Sequence, residues 1–142
     1  MKTLEARHIS VAVCRPPDEV YAFVAEPTNM PRWASGLGAE MHREGDAWVA
    51  RGLLGTVRVR FAARNELGVV DHDVTLDSGQ TVHNPLRVLP NGEGSEVVFT
   101  LFRQPGVSDE DLEKDAEHIE KDLGSLKALL EAPLEPECGP RS

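Results

Sequence analysis

His72 is a polar residue set into an apolar row. Over residues 69–77, alternation places Val70, His72, Val74 and Leu76 on one face of a strand and Asp71, Asp73 and Thr75 on the other. Over residues 80–89, Val82, Asn84, Leu86 and Val88 share a face, leaving Thr81, His83 and Arg87 outside. A hairpin turning at Ser78-Gly79 brings His72 and Asn84 onto neighbouring strands with both side chains inward. An imidazole and an amide in apolar surroundings can orient a carbonyl or hydroxyl of a ligand. An imidazole, with an ordinary pKa of about 6.5, can also move a proton, which makes His72 the candidate catalytic acid or base. The plainer alternative is a core histidine satisfied by Asn84, a tyrosine or a buried water. The pattern leaves all three roles open.

Other chemistries lack their residues. There is no phosphate-cradling glycine loop with lysine, no dinucleotide fingerprint, no Gly-x-Ser-x-Gly elbow and no His-Glu-x-x-His. His8, His42, His72, His83 and His118 have no ligand-like spacing, so neither a metal nor a cofactor is expected. Cys14 and Cys138 are too few and too far apart for a disulfide framework and read as one strand thiol and one incidental thiol. The net charge is -9, and residues 101–142 hold 5 basic against 11 acidic side chains, so most of it sits on the last helix and tail. Such a chain repels phosphate backbones, which argues against nucleic-acid binding. The simplest account of the charge is the wet face of an amphipathic helix. Neither a membrane-spanning run nor a secretory leader is legible, and a cytoplasmic home is the expectation.

The elements that must position His72 follow from punctuation and period. Residues 8–15 alternate as a half-buried strand that ends at Pro16-Pro17. Pro17, Asp18 and Glu19 suit a helix start, which predicts a helix over 17–25, and Pro27 stops it. Residues 28–35 predict a second short helix or turn. Turn signals then separate six apolar-alternating runs, 37–44, 47–53, 56–64, 69–77, 80–89 and 96–104, the pattern of antiparallel hairpins. Pro85 within one run marks an edge or bulge. Leu112, Ala116, Ile119, Leu123, Leu126 and Leu130 form one stripe of a helix over 108–131. Ser108 is its expected cap, Val107 its staple onto Leu112, and Glu110 with Lys114 and Glu117 with Lys121 its surface pairs. Residues 1–131 therefore predict one domain and 132–142 a frayed tail.

This order, with Ile9-Ser10-Val11-Ala12-Val13 leading into Arg15-Pro16-Pro17-Asp18-Glu19-Val20-Tyr21, then Pro27-Thr28-Asn29-Met30-Pro31-Arg32-Trp33 and a late helix running from Asp122-Leu123 to Leu129-Leu130, resembles the START-like helix-grip superfamily. It is similar in particular to bacterial proteins of the polyketide cyclase/dehydrase and lipid-transfer type. The resemblance implies an α+β helix-grip fold, in which a curved antiparallel sheet of six to seven strands wraps a long C-terminal helix and leaves a cavity between them. Members bind lipids, sterols or polyketides, some catalyse ring closure or dehydration, and some act on other proteins. It also places Tyr21 and Trp33 at the cavity mouth, where each offers an apolar body and one polar tip.

Three functions follow. The first is binding of a small hydrophobic or aromatic molecule by His72, Asn84, Trp33, Tyr21, Met41, Ile119 and Leu123, without nucleic acid or stable membrane insertion and with a homodimer open. The second is a cyclase or dehydratase using His72, although no inward carboxylate accompanies it. The third is a protein-interaction module with a vestigial cavity. Arg58, Arg60 and Arg87 fall on the convex face, where Asp71 and Asp73 can pair with them.

Overall fold

The computed structural model describes residues 1–37, 40–52 and 55–132. The expected tail lies outside the described residues from 133 onward. In chain order the elements are β1 (Ala6–Val13), α1 (Pro17–Val24), a 3-10 turn (Pro27–Asn29), α2 (Met30–Trp33), β2 (Met41–Glu44), β3 (Ala47–Gly52) and β4 (Gly55–Phe61). They continue with β5 (His72–Thr75), β6 (Thr81–Asn84), β7 (Leu86–Asn91), β8 (Gly94–Phe102) and α3 (Asp109–Glu131). The strands form an antiparallel three-stranded sheet, β1-β8-β7, and an antiparallel five-stranded sheet, β2-β3-β4-β5-β6.

Pro85 is where the two sheets divide. Having no N–H it cannot extend the ladder, and the single run expected over 80–89 becomes β6 and β7 on either side of it. The Pro85 carbonyl still accepts from Thr100 N–H at 3.0 Å, which holds the corner against β8. The first amide after the corner, Leu86 N–H, donates to the Asp71 carboxylate at 2.9 Å rather than to a backbone carbonyl. That carboxylate also takes both Nε and Nη2 of Arg87 at 2.8 Å, and these bonds hold its pKa below the ordinary value. Segment 68–70 then runs alongside β7, with Val70 N–H to the Leu86 carbonyl and Val88 N–H to the Gly68 carbonyl, both at 2.8 Å. Because those residues pair with β7, the run expected over 69–77 keeps only its middle as β5.

Long helix α3 closes the concave side. Ser108 caps it, accepting Asp111 N–H at 3.1 Å, and Val107 packs beside Leu112. Leu112, Ala116, Leu123 and Leu126 are buried, with Ile119 and Leu130 partly so. Twenty-three residues rising ~1.5 Å each span roughly 35 Å, enough to cross the whole sheet. At its far end Lys127 Nζ reaches the Ala12 carbonyl at 2.7 Å, Glu131 accepts Cys14 N–H at 2.8 Å, and Arg15 Nε donates to the Leu130 carbonyl at 2.9 Å. The helix end is therefore clasped to the end of β1.

Several local expectations need correction. Glu110 and Lys114 pair at 3.5 Å, but Glu117 and Lys121 form no ion pair among the described residues, each remaining solvated. Arg87 does meet Asp71, whereas Arg60 turns to Asp46 at 3.1 Å, Arg58 lies 4.0 Å from Glu44, and Asp73 takes His83 at 2.6 Å. The incidental thiol expected at Cys138 lies outside the described residues, and Cys14 is not a free thiol.

Candidate functional site

Register places the inward side chains in rungs across the five-stranded sheet. Phe61, His72 and Asn84 occupy one rung, each directly opposite the next. Arg43, Trp48, Val59, Val74 and Val82 occupy the neighbouring rung. His72 is 2% exposed. Its ring lies 5.4 Å from that of Phe61 and 6.4 Å, edge-on, from that of Phe99 across on β8.

His72 is satisfied by its own strand. Nδ1 lies 3.0 Å from the Val70 carbonyl oxygen, and because a carbonyl only accepts, Nδ1 must carry the proton. Burial lowers the pKa of the ring below its ordinary 6.5, outweighing the opposing pull of the Val70 carbonyl and of Asp71. The neutral ring therefore presents Nε2 as a lone pair, with no hydrogen-bond partner among the described residues. Asn84, directly opposite and half-buried, makes no side-chain hydrogen bond among those residues and does not satisfy the imidazole.

A cleft of about 380 Å³ opens beside this rung, between the end of α1 and the concave face of the sheet. Phe61 and Val70 form part of its wall, so the residue whose ring packs tilted against His72 and the residue that binds its Nδ1 both border the space. Tyr21 lines the opposite side, and Trp48 lies along the sheet floor. The Tyr21 hydroxyl accepts Asn65 N–H at 2.9 Å. Asn65 in turn staples the 62–70 connection, its Nδ2 donating to Ala63 and Val69 carbonyls and its Oδ1 accepting from Leu67 and Val69 amides.

The remaining predicted site residues are placed as follows. Trp33 is 5% exposed, in the main core, and its Nε1 is a buried donor without a partner. Met41 and Leu123 are buried in the same core, with Tyr21 and Ile119 packed against it. Of the seven, only Tyr21 is among the described residues lining the cleft. Sequence reasoning missed Arg43, Trp48, Phe61 and Arg64 as cleft residues. The signal for Arg43 was present: a tight turn at Gly45-Asp46 pairs Glu44 with Ala47 and so aligns Arg43 with Trp48. No comparable pattern marks Arg64, which precedes an irregular connection.

A second cluster was also missed. Asp122, buried on the flank of α3, accepts Ser35 Oγ at 2.7 Å and Ser35 N–H at 3.1 Å. His118 Nε2 lies 3.1 Å from Ser35 Oγ and 3.5 Å from Asp122 Oδ2. The residue types are those of a hydrolytic triad, but the arrangement is not. Both partners meet the same histidine nitrogen, and the carboxylate holds the serine proton directly, so nothing orients the imidazole as a base toward the hydroxyl. The cluster instead ties the end of α2 to α3. Among the described residues no group of three or more metal-ligating side chains converges, and no helix is long and apolar enough to cross a membrane.

A comparison with protein families matches residues 7–131 to the family described as polyketide cyclase / dehydrase and lipid transport. The chain belongs to this family. Its fold is the helix-grip arrangement of the START-like superfamily, as solved structures also show. The Aha1 dimer of Colwellia psychrerythraea aligns with a TM-score of 0.74 at 13% identity, over 93% of this chain and 100% of that one. A protein of Bacillus thuringiensis aligns at 0.72 and 14%, over 89% and 98%. CalU16 of Micromonospora echinospora aligns at 0.67 and 18%, over 93% and 78%. At such identities the likeness extends to the fold alone. No match is found among curated protein sequences. Within the polyketide cyclase / dehydrase and lipid transport family, chemistry has to be argued from the positions of this chain.

Proposed function

We propose that this protein binds a small, largely apolar molecule in the cleft beside His72. The observation that carries the reading is the cleft itself, about 380 Å³ bordered by Phe61 and Val70, the two residues that fix the imidazole in place. At ~30 Å³ per water this is room for roughly a dozen water volumes, at the small end of ligand sites. Behind that wall, His72 Nε2 is an acceptor without a partner among the described residues, suited to a hydroxyl or N–H. Family membership supports the same reading.

The test is a thermal-shift screen over small apolar compounds with and without hydroxyl and carbonyl groups, followed by titration of any that raise the melting temperature. Hydroxyl-bearing compounds should bind, and His72→Gln should weaken them by about tenfold. A screen with no stabilising compound, or one whose hits bind His72→Gln as tightly as the unaltered protein, would sink the reading.

The same neutral ring favours a second reading, a cyclase or dehydratase in which Nε2 takes a proton from a bound substrate. What separates the two is turnover. If His72→Gln abolishes conversion of a bound compound while retaining its affinity within about tenfold, the ring acts on the substrate rather than only holding it.

A further inference from the structure

The cleft carries charge that apolar binding does not use. Its charged lining residues are Arg43, Arg64 and Glu26, two cations and one anion in a chain whose net charge is -9. Arg43 stands on edge strand β2 directly opposite Trp48, on the rung that forms the cleft floor. Its Nε donates to the Gly45 carbonyl at 3.0 Å, which fixes the stem, while its terminal nitrogens have no partner among the described residues. Other positions on that rung are apolar and at least half-buried, whereas Arg43, at the exposed edge, carries its charge to the mouth of the cleft.

Arg64 closes the opposite rim. Its guanidinium lies over the Tyr21 ring, 5.7 Å from the centroid, and its Nη2 is 3.8 Å from Glu26 Oε2, too far for a hydrogen bond. Glu26 spends its other oxygen on Thr28 Oγ1 at 2.9 Å. The Tyr21 hydroxyl accepts from Asn65 N–H and has no acceptor for its own proton among the described residues. The rim therefore holds two under-engaged guanidinium forks and a phenolic donor above an aromatic floor of Trp48 and Phe61.

Resting on the binding reading above, we propose that the ligand is a carboxylate-bearing amphiphile, its acid group held at the rim by Arg43, Arg64 and the Tyr21 hydroxyl and its apolar body lying over Trp48 and Phe61 toward His72. A guanidinium fork matches a carboxylate in geometry and charge, and the aromatic floor accepts a flat or chain-like body. Glu26 sets the limit on this attraction and makes the rim selective for a head group able to displace its weak hold on Arg64.

The test uses 2-naphthoate and its neutral analogue 2-naphthylmethanol, titrated into the full chain and followed by tryptophan fluorescence, which Trp48 should report. Naphthoate should bind about tenfold or more tightly than the alcohol. The double variant Arg43→Gln/Arg64→Gln should erase that preference, bringing naphthoate affinity down to that of the alcohol in the same variant. Added salt should weaken naphthoate selectively. Glu26→Gln should move the other way, raising naphthoate affinity about two- to threefold. Equal binding of both compounds, or a preference for the acid that survives the double variant, overturns the acid-group assignment and leaves the apolar-binding reading standing. No binding of either compound up to millimolar concentration overturns the assignment and counts against the binding reading as well.

Discussion

His72 donates its Nδ1 proton to the carbonyl of Val70, two residues earlier on the same chain, at 3.0 Å. That bond fixes the tautomer, and burial keeps the ring neutral, so the side chain is an acceptor at Nε2 near neutral pH. The shift has a stability consequence. The folded-state pKa lies below the ordinary 6.5, so at pH values above 6.5 both folded and unfolded states are neutral at this residue and it adds no pH dependence. As pH falls below 6.5 the unfolded chain takes up the proton and the native state does not, so stability drops until the folded pKa is passed. Urea unfolding at a series of pH values between neutral and mildly acid should show the unaltered protein losing stability relative to His72→Gln, with the difference flat above 6.5. A difference that does not change with pH would mean that His72 is not held neutral.

Asp122 ties α3 to the residue following α2, taking both the N–H and the hydroxyl of Ser35. Replacing it with alanine removes the acceptor of both donors, which exposed Ser35 can turn to water. Asp122→Ala should cost about 0.5–1.5 kcal/mol, and Asp122→Asn, which keeps an acceptor oxygen, should cost less. Ser35→Ala should have no effect on any catalytic turnover found, since the geometry gives the hydroxyl no base. Chemical denaturation of the two Asp122 variants checks the first statement, and a turnover assay of Ser35→Ala checks the second.

Much of this architecture was legible because periodicity reports burial. The stripe from Leu112 to Leu130 required a partner, Ser108 announced the helix start, and alternation around His72 put it on the concave face. What alternation could not convey was pairing. Residues 68–70 read as the beginning of β5, yet they hydrogen-bond to β7, because Pro85 turns the chain and exposes Leu86 and Val88 as new partners. The cleft suffered in the same way. Its lining comes from α1, β2 to β4 and the 62–70 connection, pieces far apart in the chain, and Asn65 organises that connection through side-chain bonds that leave no periodic trace. Ser35, His118 and Asp122 escaped notice because the helix wheel set His118 off the apolar stripe, and only the position of the α2 end reveals what faces it.

Gly124 lies within α3, off the stripe, and a Cβ added there meets nothing within 4 Å. Close approach of another element of the chain therefore does not explain it. Glycine in a helix interior is less favourable than alanine by about 1 kcal/mol, so Gly124→Ala should raise stability by up to about that amount. A fall instead would reveal a contact made only in solution, such as a second copy resting on that flank, and sedimentation at several concentrations would identify it.

Gly68 is the opposite case. Its φ is +74°, a conformation L side chains rarely adopt, and an added Cβ would collide with the Val88 carbonyl oxygen. The residue also supplies the carbonyl that accepts Val88 N–H at 2.8 Å, so moving away to relieve the collision breaks a bond between this connection and β7. Gly68→Ala should therefore destabilise by about 2–4 kcal/mol, well above the effect of backbone conformation alone. The change propagates to the cleft through Val69 and Val70, two of its lining residues, and through the Val70 carbonyl to His72. Ligand affinity should fall with stability here but not in Gly124→Ala, which touches none of these residues. Equal affinity in Gly68→Ala and the unaltered protein would show that the 62–70 connection does not shape the binding site.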